Sequence, residues 1–600
     1  MITAVNKGVL ITHSTDTASD LTADAALFSD ESGLDSSVTD ELLPDDFVAS
    51  EADLGEIEQA PSVARSTAIM SVATMLSRVT GFIRVWATAF ALGAGVSASA
   101  YSLANNIPNM IYELLVGGIL SAVFIPSFLE VRARRGTDEA WRFASNAMNL
   151  GMLALALVAL VGAIFPQPFI WTQTFRLSSD TVALRSLSNF FFRLFAFQVV
   201  IYAFGAIVQG MLNAHRRFLW AALGPVFNNL VVIGTMFWAA SLISTHGGAL
   251  TTTAKIILGA GTTFGVFVMF AVMVPSLLKT KFRYRFELGI RSPDIHRMLI
   301  LAVPAMIYTL TNLVAVSIQT ASAGGISGRG PAIMYFANTW MSLPYGILSV
   351  ALTTALFTEM STYASRKDLH RYKVSMASGL RSTALLMLPA SAVLFALSTQ
   401  VISLFAAGRF RPSDVPTVAH VLQFWSVPLV MRALMMFMIF SFYALKDTKT
   451  VAVANLGATV FQAGGYLILT TGIFGWKGFG YTGIPISDSV FFVLLFSTLL
   501  ILMRRKVGAF DVRSFVVVFA KAAVASVAGG AVAWGLQHVM AGALGAGKLA
   551  ALLIIAVAGI CGLAVSFFLI WVMRVKELSL LGQVVRRFGR KFGLRRGSEA

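Results

Sequence analysis

The 600-residue chain is 56% hydrophobic and only 12% charged, with a mean hydropathy of +0.75. A water-soluble domain of that composition would aggregate, and apolar runs of roughly 20 residues, the length that crosses a bilayer, recur between residues 63 and 574. The formal charge of +17 is unevenly spread, and the single cysteine, Cys561, excludes an internal disulfide and a thiolate metal cluster.

Residues 1–60 hold fourteen acidic residues against one lysine, a net charge of −13, with almost no aromatic side chains. Such a segment cannot bury enough apolar surface to offset chain entropy, so a disordered acidic cytoplasmic tail is expected. It has neither the basic start nor the apolar stretch of a secretory signal. A start codon further downstream is the alternative reading, since nothing in the fold requires the tail. Residues 61–600 then carry 45 basic and 15 acidic residues, a net charge of +30.

The apolar runs predict an all-α polytopic membrane protein with about fourteen transmembrane helices, at 65–91, 98–129, 143–166, 181–212, 219–244, 254–278, 296–324, 332–361, 373–397, 415–445, 450–473, 481–503, 514–540 and 548–574. Alternate loops are rich in basic residues: Arg132, Arg134 and Arg135, then Arg216 and Arg217, then Lys279 through Arg291, then Arg366 through Lys373, then Lys446 and Lys449, then Arg504 through Lys506. The opposite loops hold isolated charges such as Arg176, Arg329, Arg409 and Lys548. Positive loops stay on the cytoplasmic side, so both termini are expected there.

The first helix carries the costliest residues. Arg78 and Arg84 lie mid-span, where each costs roughly 2.5–3.5 kcal/mol on insertion scales unless it meets water, a partner or a polar ligand. Six residues apart on a helix, they point about 120° apart and are about 9 Å apart along the axis, a spacing suited to two walls of one polar cavity. Guanidinium forks fit phosphate, and the competing reading is an intramembrane ion pair, for example with Glu113. In the second helix Asn105, Asn106 and Asn109 surround Pro108; their amides can repair carbonyls freed by the proline or contact a sugar. Glu113 reads as a charge-balancing partner of an arginine, or as a titrating group that couples ion movement.

An internal repeat predicts two lobes. Gly118-Ile-Leu-Ser121 recurs as Gly346-Ile-Leu-Ser349, after Pro108 and Pro344, and Leu212–Phe218 corresponds to Tyr443–Lys449. The near-equal offsets and six intervening spans give parallel repeats: an N-terminal lobe, 61–290 (helices one to six), and a C-terminal lobe, 291–507 (helices seven to twelve), as in transporters that rock about a central cavity. Residues 508–575 add two helices. The tail 576–600, with Arg586, Arg587, Arg590, Lys591, Arg595 and Arg596 spaced by apolar residues, reads as an amphipathic helix on anionic membrane lipid, in preference to nucleic-acid binding. Asp447 reads as a salt-bridge partner of Lys446 or Lys449. No histidine cluster, phosphate loop or nucleophile–base set points to an enzyme, a metal or a cofactor.

Ser77 through Arg84, Ile107-Pro108-Asn109, Leu212-Asn213 through Phe218, Pro225 with Asn228, Leu404-Phe405 through Phe410, and Phe442-Tyr443-Ala444 through Thr450 together resemble the MurJ/MviN family of bacterial lipid II flippases, over about residues 62–575. The resemblance implies a two-lobed exporter of the bacterial plasma membrane that moves undecaprenyl-pyrophosphate-linked disaccharide pentapeptide from the inner to the outer leaflet for cell wall synthesis. It departs from the family pattern at Ser99, where an Asp is common, at Tyr112 and Glu113, where two Arg are common, and at Asn338-Thr339, in place of an Asp-Arg pair. Arg193, Arg381 and Arg432 are the candidate replacement cations. The expected substrate-contacting set is Arg78, Arg84, Asn105, Asn109, Glu113, Asn338 and Arg432. Alternatives are export of another lipid-linked polysaccharide or a drug, and a non-transporting scaffold for cell-wall synthesis proteins. Two costly central arginines weigh toward transport.

Overall fold

With no water to satisfy backbone groups inside a bilayer, apolar segments of this length have helix as their stable option, and the chain follows it. The computed structural model describes residues 63–115, 123–177, 182–472, 475–545, 547–575 and 577. The expected acidic tail and basic amphipathic helix lie outside the described residues. In chain order the helices are α1 (Val63–Leu92), α2 (Val96–Glu113), α3 (Ile125–Arg135), α4 (Thr137–Ile164), α5 (Pro166–Trp171), α6 (Val182–Ala214), α7 (Phe218–Thr245), α8 (Thr252–Ala271), α9 (Val274–Leu278) and α10 (Pro293–Ile326). They continue with α11 (Gly330–Pro344), α12 (Val350–Ser365), α13 (Leu369–Ser403), α14 (Val415–Ser426), α15 (Leu429–Ala444), α16 (Thr448–Thr471), α17 (Gly483–Val507), α18 (Val512–Leu544) and α19 (Lys548–Val572).

Among the described residues, ten segments are long and apolar enough to cross a membrane, or eleven when α14 and α15, bent by 46° at their break, count as one. Helices α1, α2 and α10 are not among them. These three carry Arg78 and Arg84, the Asn105–Asn109 cluster with Glu113, and Gln319. They lie at three further positions of the expected fourteen, and the polarity that sets them apart is that of a cavity lining.

Several of the expected helices are interrupted, 254–278 between α8 and α9 among them. Pro344 lacks an N–H, and the chain after it widens into a π-helical turn, Tyr345–Ser349, before α12. The same winding occurs at residues 114–115 and 123–124, on either side of the undescribed 116–122. Pro428 marks the bend between α14 and α15.

Caps fix the helix ends at the basic loops. Asp368, Asp447 and Asp511 each accept a hydrogen bond from the backbone N–H three residues on, at 2.9, 3.0 and 2.9 Å, and so start α13, α16 and α18. The pairing expected for Asp447 is corrected: its carboxylate meets Lys506 at 2.5 Å, because capping α16 turns it toward the end of α17. Arg216 and Lys446 close α6 and α15 in the left-handed conformation, at φ +56° and +58°. The next N–H of each reaches back to Leu212 O (2.8 Å) and Phe442 O (3.1 Å). The structural offset of this pair, from 216 to 446, is therefore 230 residues, one fewer than the sequence match suggests.

The described residues from 66 onward form one compact unit. Within it, α6 packs against α2, α4 and α8, and α8 against α7; α16 packs against α10 and α17, and α13 against α12, α14 and α15. Helix α2 bridges to α10 and α11, while α18 and α19 pack on each other and on α13. The close approach of α18 to α19 depends on Gly529, where any Cβ would collide with the Gly562 carbonyl and the Ser566 hydroxyl.

Candidate functional site

Helix α1 is held at its centre by one buried amide. Asn229 of α7 donates to Thr80 Oγ1 (3.0 Å) and to the Ser77 carbonyl (3.3 Å), fixing the rotation of the turn between the two arginines. The azimuthal separation set by helical geometry then sends them in different directions. Arg84 is half-buried and lines a cavity of about 220 Å³ with Tyr101, Asn105, Asn109, Tyr202, Asn228 and Asn338. Arg78 lies instead against the π-helical turn, its Nη1 3.0 Å from where a Cβ on Gly346 would stand.

A second cavity, of about 950 Å³, is lined by Glu113, Asn338, Tyr345, Arg432, Lys449 and Asp488, among others. The two share Val316, Gln319, Asn338 and Trp425 as a common wall, and the larger reaches Thr448 and Lys449 at the basic loops. Arg432 stacks over the Tyr345 ring, 4.5 Å from its centroid, so Arg78 and Arg432 flank the adjacent residues Tyr345 and Gly346. Among the described residues, none of Arg78, Arg84 and Arg432 has a carboxylate partner at ion-pair distance. Unpaired guanidinium in a membrane protein is costly, and an anionic ligand relieves that cost.

The remaining sequence candidates divide. Asn109 Oδ1 accepts from Tyr202 OH at 2.7 Å, whereas the Asn105 and Asn228 side-chain carbonyls, both buried, have no hydrogen-bond partner. Asn338 is exposed to both cavities. Glu113 is exposed and makes no ion pair among the described residues, so the expected arginine partner is not found. Of the replacement cations only Arg432 lines a cavity. Arg193 faces away on α6, and Arg381 is taken up by Glu577 at 2.5 Å. Ser99 ties α2 to the start of α11 by accepting from Ala332 N at 3.1 Å, and Tyr112 donates to Gln209 at 3.1 Å.

Sequence reading passed over Asp488. Its carboxylate is buried in the cavity wall and accepts from Trp425 Nε1 (2.7 Å), Gln462 Nε2 (2.8 Å), Gln319 Nε2 (3.4 Å) and Tyr466 OH. The signal was present, since Asp488 is the single acidic residue in the apolar run 481–503.

The end away from the basic loops is closed. Arg329 at the start of α11 joins the Ala94 carbonyl (3.1 Å) to the Asp414 carboxylate. Arg409 N donates to Phe90 O at 2.9 Å and its guanidinium to Gly248 O, while Trp86 Nε1 donates to Leu404 O at 3.1 Å. Arg176 reaches Leu467 O at 2.7 Å and Thr471. The Gly408-Arg409-Phe410 motif thus belongs to a seal.

The sequence model of the family described as Lipid II flippase MurJ matches residues 88–555. The Lipid II flippase MurJ of Burkholderia cenocepacia is 27% identical over 453 residues, covering 74% of this chain and 84% of that protein. A relative from Rhizobium meliloti bearing the same family name is 27% identical over 392 residues, 65% of this chain and 72% of that one. Among solved structures, a lipid II flippase MurJ in an inward closed conformation superposes with a TM-score of 0.67 at 19% identity, over 83% of this chain and 97% of the other. An inward-facing multidrug resistance MATE transporter of the MOP superfamily reaches 0.56 at 14% identity, over 75% and 96%. These structural likenesses show the fold, and the family match extends over most of the chain: it belongs to the MurJ family of lipid II flippases.

Proposed function

We propose that the protein carries an undecaprenyl-pyrophosphate-linked peptidoglycan precursor from the cytoplasmic to the outer leaflet by alternating access of two lobes, 61–290 and 291–507. The observation that carries this reading is the pair of guanidinium groups, Arg84 and Arg432, that line two adjoining cavities with no carboxylate partner among the described residues, with Arg78 against the turn that borders the larger cavity, which reaches the basic loops, while side-chain contacts close the opposite end. Pyrophosphate satisfies bidentate donors, the neutral Asn105 and Asn228 carbonyls suit hydroxyl and amide donors of a saccharide, and the polyprenyl tail stays in lipid. The alternation of basic loops supports an orientation with the open end and both termini in the cytoplasm. The bridging of the two helix groups through α2, α10 and α11 supports the two-lobe division.

Conditional depletion of the protein, followed by a leaflet-resolved assay of lipid-linked precursor, tests the proposal. Accumulation on the inner leaflet is the expected result. An unchanged leaflet distribution on complete depletion refutes it.

A further inference from the structure

The connection between α9 and α10 is an extended strap clipped to the side of a membrane helix. Asn146 of α4 exchanges two hydrogen bonds with the backbone of Gly289, at 3.1 and 2.8 Å. Asn149 donates to Arg285 O (3.2 Å) and Glu287 O (3.0 Å) and accepts from Tyr284 OH (2.8 Å), and Arg285 N donates to Ser145 Oγ at 3.2 Å. Glu287 is neutralised by Arg142 at 3.0 Å. These contacts satisfy one edge of the strap.

The other edge has an unusual composition for a loop. Phe286 and Ile290 are 74% and 72% exposed, with Tyr284 and Leu288 also open. Lys281, Arg283, Arg285 and Arg291 are exposed among them and make no ion pair within the described residues. A cluster of large apolar side chains interleaved with free cations is costly in water and suited to the boundary between acyl chains and anionic headgroups.

The depth agrees. Asn146 and Asn149 lie 18 and 15 residues before Ile164, the far end of α4, hence about 27 and about 22 Å from it along the axis. A hydrocarbon core is about 30 Å thick, so amides at that depth hold the strap near the inner boundary of the core.

We infer that residues 281–291 are a lipid-contact element. Phe286 and Ile290 enter the acyl region, and Arg283, Arg285 and Arg291 bind the phosphates of anionic phospholipids in the adjoining leaflet. The occupant is bulk phospholipid, so the inference stands apart from the identity of the transported molecule.

The test uses the full chain carrying Cys561→Ala and Leu288→Cys, which leaves Phe286 and Ile290 in place. An environment-sensitive fluorophore on the new thiol is followed in nanodiscs of phosphatidylcholine alone and of equal parts phosphatidylcholine and phosphatidylglycerol. With phosphatidylglycerol present, the label should be quenched by lipids brominated in their acyl chains and shielded from soluble iodide. Each of Arg283→Gln, Arg285→Gln and Arg291→Gln should shift the ratio of lipid-inserted to water-exposed label about fivefold toward water, and added salt should act in the same direction. A label that iodide quenches and brominated lipid does not, in discs containing phosphatidylglycerol, overturns the inference. So does a depth indifferent to phosphatidylglycerol in the chain with all three arginines intact, a comparison that holds even where a substituted chain fails to fold.

Discussion

Arg329→Ala should open the sealed end of the bundle. The substitution removes the guanidinium contact with Asp414 and the hydrogen bond to the Ala94 carbonyl at 3.1 Å. The Arg329 side chain is 48% exposed while that of Asp414 is 9% exposed, which places the pair between a surface ion pair, at most about 1 kcal/mol, and a buried one, whose breakage costs about 3–5 kcal/mol. About 2 kcal/mol is the corresponding magnitude, and it moves an equilibrium between sealed and open arrangements roughly 30-fold. The assay places a single cysteine at Asn338, exposed in both cavities, in a Cys561→Ala background, and measures its modification by a membrane-impermeant thiol reagent added on the sealed side. The rate should rise by about that factor in Arg329→Ala, with Arg329→Lys intermediate because an ammonium cannot serve both acceptors in the same geometry. Gly93→Ala should act alike, since Gly93 has φ +69° and its new Cβ would stand 2.5 Å from the Arg409 carbonyl oxygen. An unchanged modification rate, with thermal stability lowered, would show the contact to be scaffolding and refute the gating argument.

Arg84→Ala and Arg432→Ala should each insert and express normally yet abolish precursor export, and Arg78→Lys should retain only part of it, because an ammonium lacks the bidentate fork; normal export by an Arg78→Ala/Arg84→Ala double variant removes these residues from the mechanism. Asp488→Asn turns an amide toward donors from Trp425, Gln462 and Tyr466, so it should cost about 2–3 kcal/mol through unmade hydrogen bonds, read as a lower midpoint of thermal unfolding in detergent; an unchanged midpoint sinks the idea that this network holds α14, α16 and α17 together. At Asp447, burial opposes ionisation, but hydrogen bonds from Lys506 and from the Thr450 N–H and hydroxyl outweigh it and hold the carboxyl below its ordinary value of 3.8. A depressed folded-state value means that its stabilisation is present above the unfolded value and is lost as pH falls through the folded one, so Asp447→Asn should flatten the loss of stability below about pH 4, and an unaltered acid limb counts against it.

How much could be read without the fold is clear from particular residues. The apolar runs, their number and the basic loops are local properties, legible because a bilayer imposes one length and one polarity on every span. The two arginines of α1 were legible because charge in such a span is expensive, and the same reasoning applied to the run 481–503 reaches Asp488. Glu113 shows the limit: its position in an apolar run predicts an arginine partner, and the folded chain exposes it to a cavity reaching the basic loops. Arg193, Arg381 and Arg432 were equivalent as cations near spans, and the folded contacts alone separate them: one faces away, one is paired with Glu577 and one enters the cavity.

By itself, the order of residues determined that this chain is an all-helical polytopic membrane protein, that its basic loops alternate, and that the arginines of its first long apolar segment need something polar. The tertiary structure decided that Arg84 lines a cavity while Arg78 lies with Arg432 around Tyr345 and Gly346, that Arg329 and Arg409 seal one end, and that Asn146 and Asn149 hold the strap. Hydropathy and charge act along the chain and leave their period in it. Ion pairing, cavity lining and helix contact join residues far apart in the chain, where the sequence carries the partners but not their meeting.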